Sequence, residues 1–68
     1  MRFVVTIEQD EDGVYVVQCP AVPGCVSQGC IEAEALANVR EAIRACLDVR
    51  AEQGMPLTVE TRDIDIAV

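Results

Sequence analysis

The side chains that could do chemistry include four acids in one short run, four cysteines, the hydroxyls of Thr6 and Ser27, and one tyrosine. Glu8, Asp10, Glu11 and Asp12 lie within five residues. Two-metal hydrolases use clustered carboxylates, but their ligands converge from different elements, whereas these four surround a single turn. The Asp10-Glu11-Asp12-Gly13 fragment also lacks the distal glutamate that completes a calcium loop. It reads as a solvated turn, with docking of a cationic partner as its functional alternative. The cysteines are Cys19, Cys25, Cys30 and Cys46, and no C-x-x-C occurs. That spacing suits neither a zinc ribbon nor a thioredoxin-type pair, so the reading is reduced, mostly buried thiols, with an occasional bridge among Cys19, Cys25 and Cys30 as the alternative. There is no histidine, which removes the commonest general base and the commonest zinc ligand. Ser27 and Thr6 therefore lack an activating partner. Gly24 and Gly29 fit no phosphate-cradling pattern. The expectation is no catalytic residue, no metal, no cofactor and no enzyme.

Charge and size narrow the classes further. Twelve acids face five basic residues, all arginine, for a net charge of −7. Direct nucleic-acid binding is disfavoured by that balance, and two aromatics, Phe3 and Tyr15, are too few for a base-stacking platform. An acidic chain suits a basic protein partner, because opposite fields steer encounter. With 68 residues there is room for one domain, expected over 1–68. Its compact surface would be about 4,200 Å². Apolar burial and chain ordering each come to on the order of 100 kcal/mol and nearly cancel, so association would help so short a chain. No apolar run approaches the ~18 residues of a membrane span, and no signal peptide is evident. The expected location is the cytoplasm, with no membrane partner.

The elements that must position these residues follow from the pattern. Residues 2–9 alternate as a strand, with Phe3, Val5 and Ile7 on one side. Asp10 to Gly13 form a hairpin connection. Residues 14–19 make a second strand, with Tyr15, Val17 and Cys19 on one face and Val14, Val16 and Gln18 on the other. Pro20 ends it, because proline cannot donate to a ladder. Val22-Pro23-Gly24-Cys25 fits a type II turn, leading to a short third strand over 25–29. From Ile31 to Gln53 the period becomes helical. Leu36, Val39, Ile43, Cys46 and Leu47, widened by Ala35 and Ala42, form the apolar stripe. Glu41–Arg44 and Arg44–Asp48 are neighbouring opposite charges. Gly54 and Pro56 stop the helix. Residues 57–60 and 62–68 alternate again and suggest one or two terminal strands.

The expected fold is α+β, in the order β-β-β-α-β. An antiparallel meander has one helix on one face, with a C-terminal strand closing the sheet. The other face is left open. Val4, Val14 and Val16 fall on it, and with Ile64 and Ile66 of the terminal strand they are the candidate face for a homodimer or higher oligomer. Tyr15 reads more readily as core than as a site.

Taken in series, these residues resemble a known family. The run Asp10-Glu11-Asp12-Gly13-Val14-Tyr15-Val16-Val17 comes first, then Cys19-Pro20, Pro23-Gly24-Cys25-Val26-Ser27-Gln28-Gly29, and Glu34-Ala35 opening the helix. The series looks like the HicB antitoxin family across nearly the whole chain. The resemblance implies a non-catalytic, incomplete RNase H-like domain that binds a small basic mRNA-cleaving toxin, HicA, and covers its active site. Asp10, Glu11, Asp12, Tyr15 and Pro23 are then the candidate partner-binding residues. Fuller members add a C-terminal DNA-binding domain. This sequence reaches Val68 about where that domain would begin, so none is expected within it. Cys30 and Ile31 stand where the family usually places a capping pair, leaving the helix start without its side-chain oxygen. The alternative reading is an orphan structural or regulatory homo-oligomer without a toxin.

Overall fold

A computed structural model describes residues 1–68. Three strands precede one helix: β1 (Thr6–Gln9), β2 (Tyr15–Gln18), β3 (Val26–Gly29) and α1 (Glu32–Glu52). The strands form an antiparallel sheet in the order β1-β2-β3. The class is α+β, as the alternation and the change of period predict. No helix is long and apolar enough to cross a membrane.

Register explains which residues are inside. Ile7, Val17 and Ser27 align across the sheet, as do Gln9, Tyr15 and Gly29. This is the face that α1 covers, and strand side chains two apart share a face. Val17, Cys19, Val22, Cys25, Ala35, Val39 and Ile43 form the buried core. Phe3, Val5, Tyr15, Leu36, Ala42, Cys46 and Leu47 pack half-buried around it. The predicted helix stripe therefore points inward, although Val39, Ile43 and Ala35 carry most of its burial.

The turns use the residues that turn geometry requires. The Asp10 carboxylate accepts the N–H groups of Asp12 and Val14, both at 2.9 Å. Gly13 sits at φ +83°, and its N–H reaches the Asp10 carbonyl at 3.0 Å. At the next turn Gly24 takes φ +82°, and the Cys25 N–H closes on the Val22 carbonyl at 3.1 Å. This is the hydrogen bond of the predicted proline-glycine turn.

The helix begins without a side-chain cap at Ile31. Glu34 partly replaces it, its carboxylate accepting the Cys30 N–H at 3.4 Å. Asn38 ties the helix to the sheet, its amide donating to the Gln28 carbonyl at 2.8 Å. The helix ends in a Schellman arrangement. The Gly54 N–H bonds the Ala51 carbonyl, the Met55 N–H bonds the Arg50 carbonyl, and Gly54 takes φ +70°.

Three expectations need correction. The first strand does not run from residue 2, because pairing starts at Thr6 opposite Gln18. Two residues further back along that register, Val4 would face Pro20, which has no N–H to donate. The charge pairs expected on α1, Glu41–Arg44 and Arg44–Asp48, are not formed, and the only ion pair is Arg62–Glu60 at 2.9 Å on the surface. The C-terminal strands are also absent. After α1 the chain contributes one tertiary backbone bond, from the Val59 N–H to the Ala21 carbonyl at 2.8 Å, and residues 59–68 are exposed. Alternation specifies which side chains a segment would bury on meeting a sheet edge. It does not make one copy of the chain supply that edge.

Candidate functional site

The acidic turn stands at one end of the sheet. Asp10, Glu11 and Asp12 are all exposed, and Tyr15 opens β2 beside them, half-buried against the core. Their roles differ. The Asp10 carboxylate is already engaged by the turn's own backbone, while no hydrogen bond or ion pair engages the Glu11 and Asp12 carboxylates. The latter two are free to meet a cation. No three His, Cys, Asp or Glu side chains gather in a way that could hold a metal ion.

Pro23 is not part of that cluster. It lies in the β2–β3 turn, at the other end of β2, where it borders a shallow depression with Cys46, Val49 and Arg50. The five candidate partner-binding residues therefore divide into an acidic end (Asp10, Glu11, Asp12, Tyr15) and a separate proline turn.

The candidate oligomer residues divide as well. Val16 aligns with Glu8 and Gln28 on the uncovered sheet face. Val14 and Val16 are half-buried, and Val4 is 76% exposed. This face is mixed rather than apolar, since Thr6, Glu8, Gln18 and Gln28 share it. Ile64 and Ile66 are not on it. They lie on the extended C-terminal segment, 78% and 75% exposed.

The thiols behave mostly as small core residues. Cys19 and Cys25 are buried, Cys46 is half-buried, Cys30 is exposed, and all four are free. Burial pushes the Cys25 thiol up to about 11, reinforced by the adjacent Cys46 thiol and by Cys19. A thiol held protonated in this way is a poor nucleophile at neutral pH.

Sequence reasoning missed one feature. A groove of about 600 Å³ runs between the chain leading into β1 and the helix, floored by Phe3, Val5, Leu36 and Ile43 and rimmed by Arg40 and Arg44. Two of the five arginines thus flank an apolar cleft on a strongly acidic protein. Their spacing of four along the helix, beside the apolar stripe, was the available signal.

Comparison with known proteins shows the family. Residues 3–68 match the family described as HicB-like antitoxin of bacterial toxin-antitoxin system. A UPF0150 protein of Thermoplasma acidophilum is 54% identical over 48 residues, covering 71% of this chain and 70% of the relative. A UPF0150 protein of Helicobacter pylori is 48% identical over 54 residues, covering 78% and 74%. One from Synechocystis is 46% identical over 47 residues, covering 69% and 68%. No solved structure gives a significant match. The meander, the proline-glycine turn and the helix that carry the motif series lie inside the matched region, and the chain belongs to the HicB-like antitoxin family.

Proposed function

We propose that this chain is a non-catalytic antitoxin module that acts in the cytoplasm. It binds a small basic mRNA-cleaving toxin of HicA type and masks the groove the toxin uses for RNA. The observation that carries this reading is the family match over residues 3–68 on a chain of net charge −7. A toxin that cleaves RNA needs a basic substrate surface, and an acidic protein can compete for it by charge and shape. Glu11 and Asp12 are the contacts the geometry favours, because Asp10 is occupied by its own turn. Tyr15 backs them from β2. Pro23, at the opposite end, would contact a partner only if the partner spanned the length of the sheet.

The test uses a purified small basic mRNA-cleaving protein of HicA type from the same organism. Mixed with this chain, it is expected to elute as a complex and to lose its RNA cleavage. Glu11→Lys with Asp12→Lys should weaken that complex at least tenfold, and added salt should weaken the native complex. A toxin that stays unbound and active beside the folded chain would overturn the proposal.

The chain also self-associates in this reading. Its surface is 5442 Å², against the about 4,200 Å² of a compact monomer of this mass. The excess of roughly 1,200 Å² is comparable with the ~800 Å² that each partner buries in a standard interface.

A further inference from the structure

We propose that the groove beside β1 receives residues 62–68 of a second copy of this chain, laid along the free edge of β1. The proposal rests on the self-association reading above and specifies its mode.

Fit is the first argument. β1 is an edge strand, with unpaired backbone groups on its outer side that invite strand addition. The groove follows α1 from Leu36 to Leu47, about 16 Å at 1.5 Å per residue. Five residues of extended chain span about the same length. In Arg62-Asp63-Ile64-Asp65-Ile66-Ala67-Val68 the apolar side chains recur every second residue, so Ile64, Ile66 and Val68 present one face. Those three are among the most exposed apolar side chains of the protein. One copy thus displays an apolar cleft and an apolar strand face, and uses neither.

Charge selects the occupant. Arg40 and Arg44 at the rim repel a basic partner, so the toxin does not belong in this groove. They favour an acidic segment with alternating apolar side chains. Glu60, Asp63 and Asp65, against the single Arg62, make the C-terminal segment such a chain.

Within one copy the segment is held at its root and unpaired beyond it. The Val59 N–H is bonded to Ala21 in the β2–β3 turn, and the Arg50 guanidinium donates to the Pro56 carbonyl at 2.7 Å. The segment therefore leaves the fold beside the β2–β3 turn, at the end where β1 begins opposite Gln18, yet from Val59 onward it is exposed and pairs with no strand of its own copy. Two copies that each place their segment on the other's β1 close a twofold dimer in which both grooves and both segments are satisfied.

Charge exchange tests this. One variant carries Arg40→Glu and Arg44→Glu, the other Asp63→Arg and Asp65→Arg. All four positions are exposed, and far-UV circular dichroism verifies folding of each variant. Sedimentation velocity is expected to show a dimer for the native chain and at least tenfold weaker dimerisation for either variant alone. Mixing the two variants should restore a dimer. Native groove then meets native segment at one site, and reversed groove meets reversed segment at the other. Dimers indifferent to both variants would overturn the proposal. If those dimers were instead broken by Val16→Glu, self-association would stand through the uncovered sheet face. Variants that weaken dimerisation without rescue on mixing would place the segment elsewhere and overturn it too. A native chain that stays monomeric would overturn both this proposal and the self-association reading. Toxin binding by the groove variant, measured in parallel, should be unchanged.

Discussion

Cys25 shows how a single buried residue can set a pH limit on this fold. Its thiol is pushed from 9.0 to about 11, first by burial and then by the neighbouring Cys46. The folded state therefore holds that proton more tightly than the unfolded chain does. The associated stability is fully present below about pH 9 and is lost as pH rises to about 11. Two units correspond to about 2–3 kcal/mol at most. Urea midpoints of the native chain should fall steeply between pH 9 and 11, and those of Cys25→Ala should fall less. Equal slopes would assign the alkaline loss to other groups. At the acidic turn, Asp10→Ala removes the acceptor for two backbone N–H groups. It should lower stability by about 1 kcal/mol, whereas Glu11→Ala should be nearly neutral. Asp10, Gly13, Pro23 and Gly24 were legible in the sequence because turns depend on local φ and short-range hydrogen bonds. The adjacency of Cys25 and Cys46 was not, because a helix packing across a sheet created it.

At the scale of elements, the joint between β3 and α1 is the constrained one. A Cβ on Gly29 would lie 2.5 Å from the Ala35 backbone nitrogen and 3.0 Å from its Cα. Backbone cannot give way like a flexible side chain. Gly29→Ala should therefore cost about 1–3 kcal/mol through displacement of the helix, seen as a lower thermal midpoint with the helical signal retained at low temperature. The joint's weak point lies two residues on. Ile31 is the N-cap, in extended backbone with no cap bond, and is 60% exposed. Ile31→Asp would supply the missing oxygen and place a negative charge at the positive end of α1. The expected gain is about 1 kcal/mol, or several degrees in thermal midpoint for a domain of this size. No gain would mean that Glu34's bond to the Cys30 N–H already satisfies the helix start. The missing cap was readable from Cys30 and Ile31, and the helix from its apolar period. The terminal strands were misread because Ile64, Ile66 and Val68 alternate as a strand does, while the edge that would pair with them is not reached within one copy.

For the whole molecule, shape and surface point the same way. The radius of gyration is 13.5 Å, against about 11 Å for a compact domain of this length. Only eight of 68 residues are buried. A chain this small has little margin between burial and chain entropy, so contacts between copies would supply an appreciable part of its stability. Anything that binds the folded state alone raises its apparent stability by mass action, and in the proposed dimer a second copy is such a ligand. The thermal midpoint should therefore rise with protein concentration. Unfolding of a dimer gains about 1.4 kcal/mol per tenfold increase in concentration, enough to move the midpoint by several degrees between micromolar and millimolar protein. The Arg40→Glu, Arg44→Glu variant should lose most of that dependence, and its midpoint should meet the native value only at high dilution. A native midpoint that did not move with concentration would overturn the proposed dimer. The proposed toxin binds at the acidic end, away from the groove, so adding it should raise the midpoint whether or not a second copy does.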